Sequence, residues 1–329
     1  GETTEVNNAK SHKIRIIDEK IKVLYVEGMP RWEYRYLRWV LKRDPRLLVH
    51  FLMTYGDNQL ARTSREHLGS FPSTKKDIFK YDLIILGDVP SGYFNDEKMS
   101  NLEELVKESG GSLLMLAGPM SSPTSYAKTK IADMLPVEFT ARPSLPGAED
   151  VADQPIRVEL TELGKIDPML NLVRVGEENQ KLWDELPPIY WVAPVEAKPG
   201  AEVLMVDPGH KTDRGKRPII ARHQYGLGQV LFVGTDNTWR WRRNVGDLYY
   251  TRFWGQVSQR MAQQRFIGAD KRTQISLNRQ NYMTGDRVRA YVRLYQEGYE
   301  PLADKQVRGV YTSTVDGRQF EVMLKMVEG

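Results

Sequence analysis

Tyr81-Asp82-Leu83-Ile84-Ile85-Leu86-Gly87-Asp88 leads through the helix-spaced stretch Asp96 to Ser109 and the turn Gly110-Gly111 into Ser112-Leu113-Leu114-Met115-Leu116-Ala117. Two short, unbroken apolar runs flanking a helix are the pattern of parallel strands, which are covered on both faces and need no polar alternation. Towards the amino terminus, Ile21 to Val26 reads as another buried strand. Trp32 to Lys42 reads as a helix with Tyr36, Leu37, Val40 and Leu41 at helical spacing, ending before Asp44-Pro45, and Leu47 to Met53 as a strand. This alternation predicts an α/β fold, a doubly wound parallel sheet with right-handed crossovers placing helices on both faces.

Towards the carboxyl terminus the pattern loosens. Leu135 to about Lys181 is rich in proline, aspartate and glutamate, with short strand-like pieces such as Ile156 to Leu160, and reads as an excursion from the sheet. Strands resume at Ala201 to Val206 and Pro218 to Gln224, and Tyr225-Gly226-Leu227-Gly228 turns the chain into Gln229 to Gly234. Tyr249 to Gln264 reads as a closing helix with Phe253, Trp254, Val257 and Met261 on one side. After Ala269-Asp270-Lys271, the stretches Gln274 to Leu277, Arg287 to Tyr295 and Val307 to Thr312 alternate with the turns Thr284-Gly285-Asp286 and Val315-Asp316-Gly317, as in a β-sandwich. The expected organisation is a linker or the end of a preceding module over 1–20, an α/β domain over 21–268 with its excursion at about 135–181, and the start of a β-sandwich-like domain over 269–329. Gly1 reads as a residue left by cloning and Met326-Val327-Glu328-Gly329 carries no cap signal, so the sequence is expected to be a piece of a longer protein.

Composition narrows the classes. The 329 residues are 40% apolar and 27% charged, an ordinary globular balance. A net charge of +4 from 47 basic and 43 acidic residues, interleaved rather than clustered, is too small to argue for nucleic acid. There is no cysteine, which excludes disulfides, thiolate metal sites and a cysteine nucleophile. No apolar run approaches the roughly 20 residues of a membrane span.

Two strands run into tryptophan set among arginines. Lys22 to Val26 leads to Pro30-Arg31-Trp32-Glu33-Tyr34-Arg35, and Gln229 to Val233 leads to Thr238-Trp239-Arg240-Trp241-Arg242-Arg243. Ligands of open α/β sheets sit outside the carboxyl ends of the strands, so two central parallel strands would bring these segments together. Guanidinium forks and indole faces suit planar, anionic or sugar-like partners.

Val26-Glu27-Gly28-Met29-Pro30-Arg31-Trp32-Glu33-Tyr34-Arg35, Leu86-Gly87-Asp88-Val89-Pro90, Gly110 to Pro119 and Gly234-Thr235-Asp236-Asn237-Thr238-Trp239-Arg240-Trp241-Arg242 together resemble the class I glutamine amidotransferase-like domain of large bacterial membrane-anchored proteins, over about residues 20–265. The resemblance implies a flavodoxin-like sheet, an extracytoplasmic (periplasmic) location, and partners among other domains of the same chain or a membrane-associated complex. In such enzymes a cysteine on the turn after a central strand works with a histidine after a late strand. Here the matching turn, Ala117-Gly118-Pro119-Met120-Ser121, has no cysteine, and Thr235-Asp236 stands where the histidine belongs. Glutaminase chemistry is therefore not expected.

The favoured expectation is a catalytically silent module binding a small ligand or partner through a cleft lined by Glu27, Arg31, Trp32, Asp88, Asp236, Trp239 and Arg240, with neither cofactor nor metal. Glu27 with Arg31, and Asp236 with Arg240, would be charge pairs, and Trp241 could join Trp32 and Trp239 in a stacking platform. The alternative is a hydrolase using Ser121 as nucleophile or an Asp88/Asp236 metal centre. Ser121 more simply caps a turn with Ser122 and Pro123, the aspartates cap the turns after their strands, and His210 and His223 face water or a half-buried strand.

Overall fold

The computed structural model describes residues 20–55, 63–139, 154–173, 176–243, 246–266, 273–277, 290–294, 306–312 and 318–325. The expected linker over 1–19, the middle of the excursion at 140–153 and the turns at 284–286 and 315–317 lie outside the described residues.

The first half alternates strand and helix. The order is β1 (Ile21–Glu27), α1 (Trp32–Arg43), β2 (Leu47–Met53), α2 (Lys75–Ile78), β3 (Leu83–Leu86), α3 (Asp96–Lys107), β4 (Ser112–Leu116), α4 (Lys130–Met134) and β5 (Val137–Phe139). It continues with β6 (Glu159–Leu160), α5 (Glu162–Ile166), α6 (Glu177–Glu185), β7 (Val195–Ala197), β8 (Glu202–Thr212), β9 (Gly215–Tyr225), β10 (Gly228–Val233) and α7 (Leu248–Phe266). Local chemistry sets the boundaries: Asn95 Oδ1 accepts the Lys98 amide at 2.9 Å to cap α3, and Gly226, at φ 60°, turns β9 into β10. A Cβ on Gly226 would lie 2.3 Å from the Lys107 carbonyl oxygen, so the turn needs glycine for space as well as conformation.

The main sheet has the order β2-β1-β3-β4-β10-β9-β8-β6. Strands β2, β1, β3, β4 and β10 run parallel, while β9, β8 and β6 are joined antiparallel. This corrects the expected flavodoxin-like, doubly wound parallel sheet: the sheet has eight strands and is mixed. A two-residue hairpin can only connect antiparallel neighbours, so the Gly226 turn forces β9 to reverse, and β8 follows it through a second hairpin. The excursion returns Leu160 to the sheet edge beside Met205, while β5 and β7 pair apart from it. In the tail, β11 (Thr273–Leu277) pairs with β12 (Ala290–Leu294), and β13 (Gln306–Thr312) with β14 (Gln319–Lys325), all antiparallel.

Both sheet faces are buried. Val23 and Tyr25 of β1 join one core with Leu37 and Leu41 of α1, Trp183, and Phe253, Trp254 and Val257 of α7. Leu24 and Val26 point the other way, into a core with Ile84, Leu86, Leu102 and Leu105. The period-two switch of side chains along β1 makes this two-sided burial possible. Each fully buried leucine or valine contributes about 1.5–3 kcal/mol relative to exposure. The two cores fix where the strand ends emerge, and both Trp/Arg segments emerge there.

Candidate functional site

Strand β1 ends in a carboxylate that water does not reach. Glu27 accepts hydrogen bonds from Tyr25 Oη (3.0 Å), the Gly28 amide (3.0 Å), the Asp88 amide (2.7 Å) and Arg31 Nε (3.0 Å). The chain must pass closely to do this: a Cβ on Gly28 would lie 2.1 Å from the Asp88 carbonyl oxygen. Arg31 spends the rest of its fork inward, donating from Nη1 to the Ala117 carbonyl at 2.7 Å and from Nη2 to the Leu116 carbonyl at 3.1 Å. Burial works against the guanidinium charge, but Glu27 and Asp236 outweigh it and hold the group firmly protonated. Arg31 therefore ties β1 to the end of β4.

Asp88 closes the neighbouring loop. Its Oδ2 accepts the Met120 amide at 2.9 Å and its Oδ1 the amides of Ser121 and Ser122, each at 2.7 Å. Three backbone donors in a row make an anion nest, and here the nest is filled by a side chain of the same chain. Gly118 leaves room for it, since a Cβ there would sit 2.4 Å from Asp88 Cγ. Asp236 lies 3.7 Å from Arg31 Nη1 and accepts from Asn237 Nδ2 at 2.6 Å; burial raises its pKa while Arg31 opposes the shift.

The expected cleft is thus replaced by a closed polar knot. Of the two charge pairs read from sequence, Glu27 with Arg31 forms at 3.0 Å, but Asp236 faces Arg31 instead of Arg240. Ser121 has its amide on Asp88, and no described histidine bonds to it. His50 meets Tyr81 Oη, His67 meets Ser64, His210 meets Asp207 and His223 meets the Met134 carbonyl. His210 belongs to strand β8, with its ring 2.7 Å from Asp207. Among the described residues no group of three or more histidine, aspartate or glutamate side chains is placed to hold a metal ion. Both oxygens of Asp88 accept backbone amides, Oδ2 that of Met120 and Oδ1 those of Ser121 and Ser122.

The surface above this knot is aromatic and basic. Trp32, Arg35, Tyr36, Trp39 and Arg43 fall at i, i+3, i+4, i+7 and i+11 on α1, a single stripe. That stripe faces outward, because Tyr34, Leu37 and Leu41 occupy the buried side. Trp32 stacks on Tyr36 at 5.9 Å between centroids, and Trp239 lies 5.9 Å from Trp32 and 6.1 Å from Tyr36. Guanidinium groups cover the rings: Arg35 over Trp32 (5.2 Å), Arg43 over Trp39 (5.8 Å), Arg242 over Tyr36 (3.7 Å), and Arg240 over both Trp239 (4.7 Å) and Tyr190 (4.4 Å). Arg242 is also paired with Asp247, whereas Arg35, Arg43 and Arg240 form no ion pair with a described carboxylate. Trp241, expected beside them, is instead in the core, edge-on to Trp183 at 5.1 Å and Phe253 at 5.3 Å.

Large apolar side chains stand out around this face. Trp32 is 53% exposed and Trp39 46%, with Met29 at 58%, Tyr55 at 62% and Met120 at 78% on adjoining loops. The Tyr55 amide bonds the Gly28 carbonyl at 3.0 Å and the Met120 amide bonds Asp88, so these loops share one end of the sheet.

Beneath Trp239 lies a group the sequence did not single out. Glu33 is buried on α1, accepting from Thr238 Oγ1 (2.6 Å), Tyr250 Oη (2.8 Å) and the Trp239 amide (3.1 Å). Burial pushes its pKa up to about 7, against the pull of those hydrogen bonds and of Arg31. Its position beside an exposed tryptophan carries no sequence signal, whereas the outward stripe of α1 was readable as a second helical periodicity. Tyr190 sits in a proline-rich connection whose path sequence alone does not give.

No family model matches the chain, and no curated protein matches it. Solved structures with detectable similarity include an exo-β-1,4-mannosidase from Opitutaceae bacterium strain TAV5 (16% identity, TM-score 0.37, covering 76% of this chain and 35% of that one). A β-galactosidase from Bacillus circulans sp. alkalophilus is similar at 12% identity and TM-score 0.38, over 93% of this chain and 40% of that one. A ThuA-like protein from Bacteroides uniformis is similar at 12% identity and TM-score 0.44, over 79% and 97%. The chain thus spans well under half the length of the two glycoside hydrolases. These findings correct the resemblance read from the strand ends: the similar structures named are glycoside hydrolases and a ThuA-like protein, and none is a glutamine amidotransferase. The reading of the chain as a silent amidotransferase module falls with it.

Proposed function

We propose that this chain acts by protein recognition, and that its contact face is the outward stripe of α1 together with Trp239, Arg240 and Tyr190. The observation that carries the reading is Trp32: an indole more than half exposed, stacked on Tyr36, tilted against Trp239, and covered by the Arg35 guanidinium. Tryptophan, tyrosine and arginine dominate the energetics of protein interfaces, and methionine is enriched there. Leaving this much indole in water is costly unless a partner covers it.

The partner is expected to be a protein segment bearing acidic and apolar side chains. Arg35, Arg43 and Arg240 supply positive charge that no described carboxylate neutralises, and carboxylates would take bidentate bonds from them. The exposed side chains project outward, which suits a surface or peptide more than an enclosed small molecule. The polar knot of Glu27, Arg31, Asp88 and Asp236 serves as a foundation that fixes the loops carrying the face.

Selection from a displayed random-peptide library tests the proposal. Binders should be enriched in acidic and aromatic residues, and Trp32→Ala or Arg240→Ala should weaken them at least tenfold, whereas Ile166→Ala, at an exposed apolar residue of α5, should leave them unchanged. Peptides indifferent to Trp32 and Arg240, or salt-sensitive binding of single-stranded oligonucleotides at the same face with no peptide selected, would overturn it.

A further inference from the structure

Resting on that recognition reading, we infer that Glu33 is the positioning residue of the Trp239 side of the face, and that its ionised carboxylate sets the turn that presents the indole. The geometry is direct. Thr238 to Arg242 form one 3-10 turn, and its first two residues are held by Glu33, Thr238 through its hydroxyl and Trp239 through its backbone amide. Thr238 Oγ1 in turn accepts from Trp254 Nε1 at 3.0 Å, and Tyr250 Oη donates to Glu33 from the same helix, α7. One carboxylate therefore ties three separate pieces of chain, α1, the 3-10 turn and α7, beneath the exposed Trp32 and the half-buried Trp239.

A hydrogen bond to a carboxylate is roughly twice as strong as one to a neutral acceptor. The two hydroxyls around Glu33 can rotate to accept a proton from a neutral carboxyl, but the Trp239 amide can only donate. Protonation thus takes the charge out of the bond that holds Trp239, and that bond cannot be remade in the opposite sense. The groups facing the carboxyl are Tyr25 from β1, Arg31 from the β1–α1 loop and Tyr250 from α7, with Arg242 of the 3-10 turn acting on Tyr250. Arg31 is the cation among them that favours ionisation directly, and it is committed to Glu27. Burial is the opposing influence and brings the change of charge close to neutral pH. Recognition at the face should therefore strengthen as pH rises through neutrality.

The test uses the ¹⁵N-labelled full chain. The Trp239 backbone amide should titrate near neutral pH in the wild type and not in Glu33→Gln, while the Trp183 indole, which donates to the Leu170 carbonyl at 2.8 Å, should stay fixed as a reference. Tyr250→Phe removes one hydroxyl that stabilises the charged form, so it should move the Trp239 titration to higher pH; it provides the measurement if Glu33→Gln does not fold. Peptides selected on the wild type should bind three- to tenfold more weakly below the transition, and Glu33→Gln should bind weakly at every pH. A Trp239 amide that does not titrate, a Tyr250→Phe midpoint that stays in place, or a Glu33→Gln variant that binds like the wild type would overturn the inference. The amide titration does not depend on any peptide, so failure of the recognition reading would be visible separately, as peptides indifferent to Trp32.

Discussion

Asp88 Oδ1 accepts the backbone amide of Ser121 at 2.7 Å, so the loop after β4 is folded around a carboxylate supplied by the loop after β3. The same oxygen takes the Ser122 amide and its partner oxygen takes that of Met120. A turn whose amides are already satisfied in this way has no free donors for a substrate oxyanion.

Asp88→Asn keeps the shape but loses the charge and turns one oxygen into a donor facing an amide. The expected cost is about 1–3 kcal/mol, read as a lower urea midpoint with an unchanged slope. A midpoint within error of the wild type would show that the loop does not depend on this carboxylate.

Gly28→Ala introduces a methyl group 2.1 Å from the Asp88 carbonyl oxygen, where only backbone can yield. Overpacking of this kind costs roughly 1–3 kcal/mol. Gly92→Ala, where nothing lies within 4 Å of the added carbon, is the matched control and should be near neutral.

Glu33 makes stability depend on pH in a direction opposite to recognition. Its pKa is raised from 4.5 to about 7, so between those values the native state binds more protons than the unfolded chain. Stability contributed by the neutral carboxyl is fully present below about pH 4.5 and is lost as pH rises through about 7, at most about 3 kcal/mol in all. His50, His67 and His223, whose pKa values burial lowers, contribute with the opposite slope below their ordinary value of 6.5, so the informative quantity is the wild type minus Glu33→Gln. Chemical denaturation of both proteins at pH 5 and pH 8 should show the wild type losing more stability than the variant on going to the higher pH; equal changes would remove Glu33 as the source.

Much of the fold was legible because it follows from periodicity. The unbroken runs at Leu83 and Ser112 could only be buried strands, and the Gly226 turn announced a hairpin. The reversal of β8 and β9 was implicit in that same turn, but the dominance of strand–helix alternation suggested a uniformly parallel sheet. At the site, the convergence of the two Trp/Arg segments could be read from their place after central strands. Which tryptophan stayed partly at the surface could not: Trp239 and Trp241 are two residues apart, and only the 3-10 turn decides that Trp241 enters the core beside Trp183. Arg31 looked like a recognition group, yet two backbone carbonyls and Glu27 claim its donors. Long-range carbonyl contacts of that kind leave no trace in sequence.

If acidic groups are what the face recognises, salt should weaken it. Raising ionic strength from about 0.1 M to about 1 M shortens the screening length from about 10 Å to about 3 Å. The affinity of selected peptides should fall several-fold across that range, and Arg240→Ala should flatten the dependence. Salt-independent binding would point to a purely apolar contact.

The most direct measurement is the response of the seven tryptophan indole resonances when a selected acidic peptide is added. Trp32, Trp39 and Trp239 should shift together and saturate with one affinity, while Trp183, Trp241 and Trp254, buried in the core, should not move. Saturable binding that leaves Trp32 and Trp239 untouched would contradict the assignment of this face as the recognition surface.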